Sequence, residues 1–151
     1  MSKIDSFWQE VRPQLGKDAP QEPPPAWSFD DSPELADELL ALVLEGRKTA
    51  TCDAVWRFEA DAEPIPKPGD LSIILDGTGA PRCVIETTEI RVMPLNEVGA
   101  QFAYDEGEGD RSREFWHAAH EAYSSRTLPD IGREFSPTMP VVLERFKLRY
   151  P

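Results

Sequence analysis

Between Pro33 and Glu45 the apolar positions Leu35, Leu39, Leu42 and Val43 fall at i, i+4, i+7 and i+8, which lays one apolar stripe along a helix. Asp31 and Ser32 are capping residues, Pro33 suits the first turn, and Gly46 is a natural left-handed stop. Further on the period shortens. Leu71 to Leu75 and Cys83 to Val92 read as strands around the turn Asp76-Gly77-Thr78-Gly79. Asp53 to Phe58 reads as another strand. Val141 to Tyr150 alternates Phe146, Leu148 and Tyr150 with Arg145, Lys147 and Arg149, giving one core face and one basic face. A second helix starts from a cap at Asp110 or Ser112 and runs to about Tyr123, with Phe115, Trp116, Ala119 and Tyr123 on its buried side. Near the start, Ile4 to Arg12 reads as a short amphipathic helix carrying Phe7 and Trp8. Lys17 to Pro25, with Pro20 and Pro23-Pro24-Pro25, reads as an extended linker. Helices and strands mixed without βαβ regularity indicate an α+β fold.

Length and charge narrow the function classes. A chain of 151 residues is enough for one domain with a real core. Its net charge of −12 opposes a polyanionic partner unless its 16 Lys and Arg cluster, so a small ligand is easier to accommodate than RNA or DNA. No apolar run is long enough to span a bilayer, and the first residues lack the apolar core of a secretory signal, so a cytoplasmic location and no membrane partner are expected. Cys52 and Cys83 are far apart and lack a CxxC spacing, which suggests neither a disulfide framework nor a zinc site. His117 and His120 share a helix but have no clear third ligand, so no metal or other cofactor is expected.

The stretch Gly46-Arg47-Lys48-Thr49-Ala50-Thr51 carries the candidate chemistry. A threonine hydroxyl becomes a nucleophile only beside a base. A lysine becomes that base when desolvation or a positive neighbour, here Arg47, lowers its pKa. Residues three apart on a regular strand face opposite ways, so the Lys48 to Thr51 segment must turn or bulge for the two to cooperate. Neither Lys48 nor Thr51 is expected to be a core residue. The plainer reading is that Arg47 and Lys48 complement the negative end of the preceding helix. An acid from Glu106, Glu108 or Asp110 would complete a proton relay, although Glu106-Gly107-Glu108-Gly109-Asp110 also reads as an acidic loop leading to a capped helix. Trp27, Phe29, Trp56 and Phe58 flank the region as aromatic platforms for a base or as core residues.

Taken in order, Gly46-Arg47-Lys48-Thr49-Ala50-Thr51, Pro66-Lys67-Pro68-Gly69-Asp70 and Glu106-Gly107-Glu108-Gly109-Asp110 resemble an ASCH domain, the activating-signal-cointegrator homology family of the PUA-like barrels. The resemblance implies a small PUA-like β-barrel flanked by helices over residues 27–151, preceded by an N-terminal helix and Pro-rich linker in residues 1–26. Some members of that family are amidohydrolases that remove acyl groups from N4-acylated cytidine. Matched onto their motif, Lys48, Thr51 and Glu108 would be catalytic; from their places beside these, Arg47, Trp27, Trp56 and Glu106 are expected to bind the nucleoside substrate. Whether Thr51 or a water attacks stays open, as does the choice between Glu106 and Glu108. Other members look like ribonucleases or single-stranded RNA-binding modules. For these, Arg111, Arg113, Arg126 and the basic face of the last strand would meet phosphates.

Overall fold

The computed structural model describes residues 2–151 and centres on one five-stranded sheet. Its strands are β1 (Ala26–Trp27), β2 (Ala50–Ala54), β3 (Leu71–Leu75), β4 (Pro81–Pro94) and β5 (Pro140–Tyr150), in the spatial order β1-β3-β4-β5-β2. Only the short β1–β3 pair is parallel; the others are antiparallel. Around the sheet lie α1 (Lys3–Val11), α2 (Pro33–Leu44), α3 (Val55–Ala60), α4 (Ala100–Glu106) and α5 (Arg113–Thr127). The α+β expectation holds, but the barrel is only partly formed. β1 and β2 remain separate edges of an open sheet, because β1 spans only two residues and pairs only with β3.

Three apolar clusters fix the helices. α2 sets Leu39, Leu40 and Val43 against Ile74, Cys83, Ile85 and Phe146. α4 and α5 set Phe102, Ala103 and Trp116 against Cys52, Val141 and Leu143. Trp8 and Val11 of α1 pack on Ile73 and Val84, so the N-terminal helix is applied to the sheet. The stretch expected to be an extended linker instead turns at Lys17 and Asp18 and bends before Pro23, and it is tied down: the indole of Trp8 donates to Pro20 O at 3.0 Å and Arg12 Nε to Ala19 O at 3.3 Å.

Several sequence expectations move. The strand expected over 53–58 lies earlier, at 50–54, and 55–60 is a helix. Asp53 explains the switch: its carboxylate accepts from Ala54 N at 2.8 Å and lies 3.5 Å from Arg57, one helical turn on. The second helix is capped by Ser112 and runs on to Thr127, and Phe115 is 41% exposed rather than buried. The basic face of β5 is formed, but acids occupy it. Arg145 meets Glu89 and Asp105, while Lys147 and Arg149 meet Glu86.

Candidate active site

Lys48 owes its position to the way α2 ends. Gly46 takes φ +82, and the N–H groups of Arg47 and Lys48 both reach back to Leu42 O, at 2.9 and 3.0 Å. Thr49 N then bonds to Asp105 O at 2.8 Å, which joins this turn to the end of α4 before β2 begins at Ala50. Lys48 therefore sits on the turn and not on the strand, so the opposite-face rule for strand residues does not separate it from Thr51. Contrary to expectation, Lys48 is a core side chain, 2% exposed. Its ammonium lies 5.3 Å from the centre of the Phe29 ring.

Two acids meet that ammonium. Lys48 Nζ donates to Glu108 Oε2 at 2.9 Å and lies 3.6 Å from Glu106 Oε2. Glu106 is the last residue of α4 and is 1% exposed; His120 of α5 approaches the same oxygen at 3.4 Å. Gly107 follows in the left-handed conformation, φ +75. A side chain there would meet Arg47 O at 2.4 Å, so only glycine lets the chain turn this tightly and return Glu108 to the lysine.

Burial and charge then divide the two carboxyls. Burial raises the pKa of Glu106, but the Lys48 and His120 charges outweigh it and hold the acid down at about 2. For Glu108, burial and the neighbouring Glu106 prevail over Lys48, and its pKa is pushed up to about 7. Burial pulls Lys48 downward, yet the two carboxylates more than compensate, so it stays an ammonium. His120 behaves alike: burial opposes its charge, and Glu106 raises its pKa above the usual value. The cluster thus offers a fixed cation beside a carboxyl that exchanges its proton near neutrality.

These groups line a cleft of about 1000 Å³ that is bounded by both edge strands. Thr51, Trp27, Glu106 and Glu108 all line it with Lys48, as do His120, Asp53 and Glu144. Among the described residues, no hydrogen bond joins Thr51 to Lys48. Arg47 and Trp56 are not among the lining residues. Arg47 donates to Gly107 O at 2.8 Å and Gly109 O at 2.7 Å, clamping the loop that carries Glu108. Trp56 packs against the α4–α5 cluster with the Arg133 guanidinium 4.6 Å from its ring.

Cys52, Glu106 and His120 bring one ligand atom each within 4.8 Å of one another, the set of described residues best placed to hold a metal. Their chemistry fits one poorly. Burial pushes the Cys52 thiol well above its usual pKa, His120 favours its protonated form, and the Lys48 ammonium already compensates Glu106.

Sequence reasoning missed His120 as a partner of Glu106 and missed Glu144 altogether. The second was open to notice as a lone acid inside an otherwise apolar and basic strand, Val141-Val142-Leu143-Glu144-Arg145. Its position opposite Thr51 depends on register between strands ninety residues apart, which no local pattern reveals.

A family model described as ASCH domain matches residues 25–150. No curated protein matches at a significant level. Protein EF3133 from Enterococcus faecalis V583 is similar in structure, with 33% identity and a TM-score of 0.87 over 97% of this chain and 87% of that one. An ASCH domain from Lactobacillus crispatus JV V101 shows 29% identity and a TM-score of 0.88 over 100% of this chain and 97% of its own. Hypothetical protein PH0355 shares the fold alone, at 17% identity and a TM-score of 0.54 over 82% of this chain and 98% of that one. With a family model matching nearly all of the chain beyond its first helix and linker, and with structural relatives at 33% and 29% identity, the chain belongs to the ASCH domain family.

Proposed function

We propose that this protein is a hydrolase that removes the acyl group from the exocyclic amide of N4-acylated cytidine or cytosine. The observation that carries the reading is the buried Lys48–Glu108 pair at 2.9 Å, in which the carboxyl titrates near neutrality beside a permanent cation. The sequence suggested Lys48 as the base. A lysine held above its usual pKa does not accept protons, so that role passes to Glu108.

Thr51 Oγ1 attacks the acyl carbon while its proton passes to ionised Glu108, and the oxyanion that forms is stabilised by Lys48. The C–N bond then breaks as Glu108 returns the proton to the departing nitrogen. Water, deprotonated in turn by Glu108, hydrolyses the acyl-threonine and restores the hydroxyl. A shorter route keeps the same roles for Glu108 and Lys48 but has the carboxylate activate water directly. Trp27, at the cleft wall, supplies a face for the base. The uncompensated oxygen of Glu106, Oε1, has no donor among the described residues and fits a hydrogen from the ligand.

The RNA alternative draws less support from the surface. The bases that would meet phosphates are engaged within the chain: Arg113 with Val98 O and Asn96 O, Arg126 with Asp31, Arg111 with Tyr104 O, and those of β5 with acids. The test is incubation of the pure protein with N4-acetylcytidine and with a single-stranded RNA, with and without a divalent metal, followed by chromatography. Cytidine and acetate should appear with the first substrate alone. Cleaved RNA with intact N4-acetylcytidine would overturn the reading.

A further inference from the structure

The acyl-transfer chemistry uses Lys48, Thr51 and Glu108 and leaves a second buried acid in the same cleft without a task. Glu144 lies on β5 directly opposite Thr51 in the β2–β5 ladder, so the two side chains emerge on one face of the sheet with Cβ atoms about 4.5–5.5 Å apart. It is 6% exposed and lines the cleft. Unlike Glu106, Glu108 and Asp53, it has no ion pair among the described residues. One of its oxygens is fixed: the Thr87 hydroxyl, itself 1% exposed, donates to Oε2 at 2.6 Å. The other meets no donor among the described residues and is open to the cleft, unlike the fully buried Oε1 of Glu106. A strand acid within an apolar sheet is costly to bury unless its remaining lone pairs are met. The arrangement orients one free acceptor toward whatever occupies the space above Thr51.

Resting on the amidohydrolase reading, we infer that Glu144 is a specificity-determining residue whose free carboxyl oxygen accepts a hydrogen bond from the N–H of the scissile amide. This fits the attack geometry. The nucleophile approaches the acyl carbon, and the atom bonded to that carbon, one bond length away, is the amide nitrogen with its hydrogen. An acceptor beside the nucleophile therefore holds the amide in a single orientation. It also rejects a substituent that lacks the hydrogen, because the ligand would cover this carboxyl oxygen and leave it unpaired. The consequence is a preference for secondary amides over N-alkylated amides and over esters.

The experiment measures binding by calorimetry in a Glu108→Gln background, where the base of both routes is gone and turnover does not consume the ligand, using N4-acetylcytidine and its N4-methyl analogue. The secondary amide should bind on the order of 10- to 100-fold more tightly. In Glu144→Gln the Thr87 hydroxyl still has a carbonyl oxygen to donate to, the side-chain NH2 faces the ligand, and the preference should fall to near unity while Tm changes little. Thr87→Val, which frees the carboxyl without removing it, should erode the preference in part and keeps the question answerable if the Gln variant folds poorly. Equal binding of the two ligands, absence of binding by either, or a preference that survives Glu144→Gln would overturn the inference. A preference that depends on Glu144 in a protein whose native form hydrolyses neither ligand would sustain it and reject the hydrolase reading alone.

Discussion

Two clusters in this protein share one composition, a pair of acids around one base, and differ in their access to water. At the cleft, Glu106 and Glu108 flank buried Lys48; near the start of α2, Asp30 and Asp31 flank Arg126, whose side chain is 48% exposed. In both, the shared cation cannot serve the two acids equally. Arg126 hydrogen-bonds Asp31 and holds it well below the usual carboxylate range, while burial and Asp31 raise Asp30. Lys48 and His120 likewise hold Glu106 low, and Glu108 rises. Solvent decides what the split is worth. Around Arg126 the charges are screened, and the pair contributes little. Around Lys48 the ammonium and Glu106 are almost wholly buried and Glu108 is mostly so, so screening is weak and the same asymmetry yields a carboxyl poised near pH 7.

The sharpest way to break this comparison is to remove each base. Lys48→Met leaves Glu106 to His120 alone and Glu108 without a cation, and turnover should fall by at least about 100-fold, with stability lower by about 3–5 kcal/mol at neutral pH. Denaturant unfolding checks the second number, and part of the loss should return in mild acid as the carboxyls protonate. Retention of most activity would remove Lys48 from the site. Glu108→Gln should cost on the order of 100- to 10,000-fold in turnover with a much smaller effect on folding, since the neutral amide relieves a repulsion.

The pH dependence carries a defined sign. Glu108 has a folded pKa of about 7, above its unfolded value, so the native state binds the extra proton between roughly 4.5 and 7 and stability falls as pH rises through that window. Glu106 acts oppositely: its stabilising contribution is complete above about 4.5 and is lost as pH falls toward 2. Melting curves across pH should show a slope between pH 4.5 and 7 that is reduced in Glu108→Gln, and the profile of kcat/KM should lose its inflection near 7 in the same variant. An unchanged inflection would assign the titration to another group.

Smaller effects are expected at the exposed cluster and from the medium. Arg126→Ala should alter stability by no more than about 1 kcal/mol, an effect that shrinks further in added salt. Chelation with EDTA should leave hydrolysis unchanged, and turnover of a neutral nucleoside should vary little with ionic strength, whereas RNA binding would fall steeply. Loss of activity on chelation with recovery on adding a divalent ion would return attention to Cys52, Glu106 and His120.

Much of the frame was legible because local rules decided it. The stripe of Leu39, Leu42 and Val43, the Ser32 cap and the Gly46 stop set α2 to within a residue, and the Asp76 to Gly79 turn set the β3–β4 hairpin. The junction at Lys48 came from local spacing, whereas the assignment of Thr51 and Glu108 as catalytic residues came through the family resemblance. What stayed hidden depends on contacts distant in sequence. α4 is seven residues long with only Phe102 and Ala103 as apolar anchors, too short for a period to show, and it is held by β2 and α5. Without it, Glu106 and Glu108 look equivalent; with it, one ends a helix inside the core and the other lies beyond a left-handed glycine. The burial of Lys48 was hidden for the same reason, since a charged residue just past a helix ordinarily stays in water.

The proline-rich stretch that Trp8 ties down forms one wall of the cleft, through Asp18, Pro20, Glu22 and Pro23 to Pro25, whereas the family match begins at residue 25. The charged machinery and the shape of the vestibule therefore have separate addresses in the chain. On the proposed reading, selection can retune which molecules enter by editing a segment that carries none of the proposed reacting groups, and an engineer wishing to widen or narrow the substrate range has the same handle, with Glu108 left untouched.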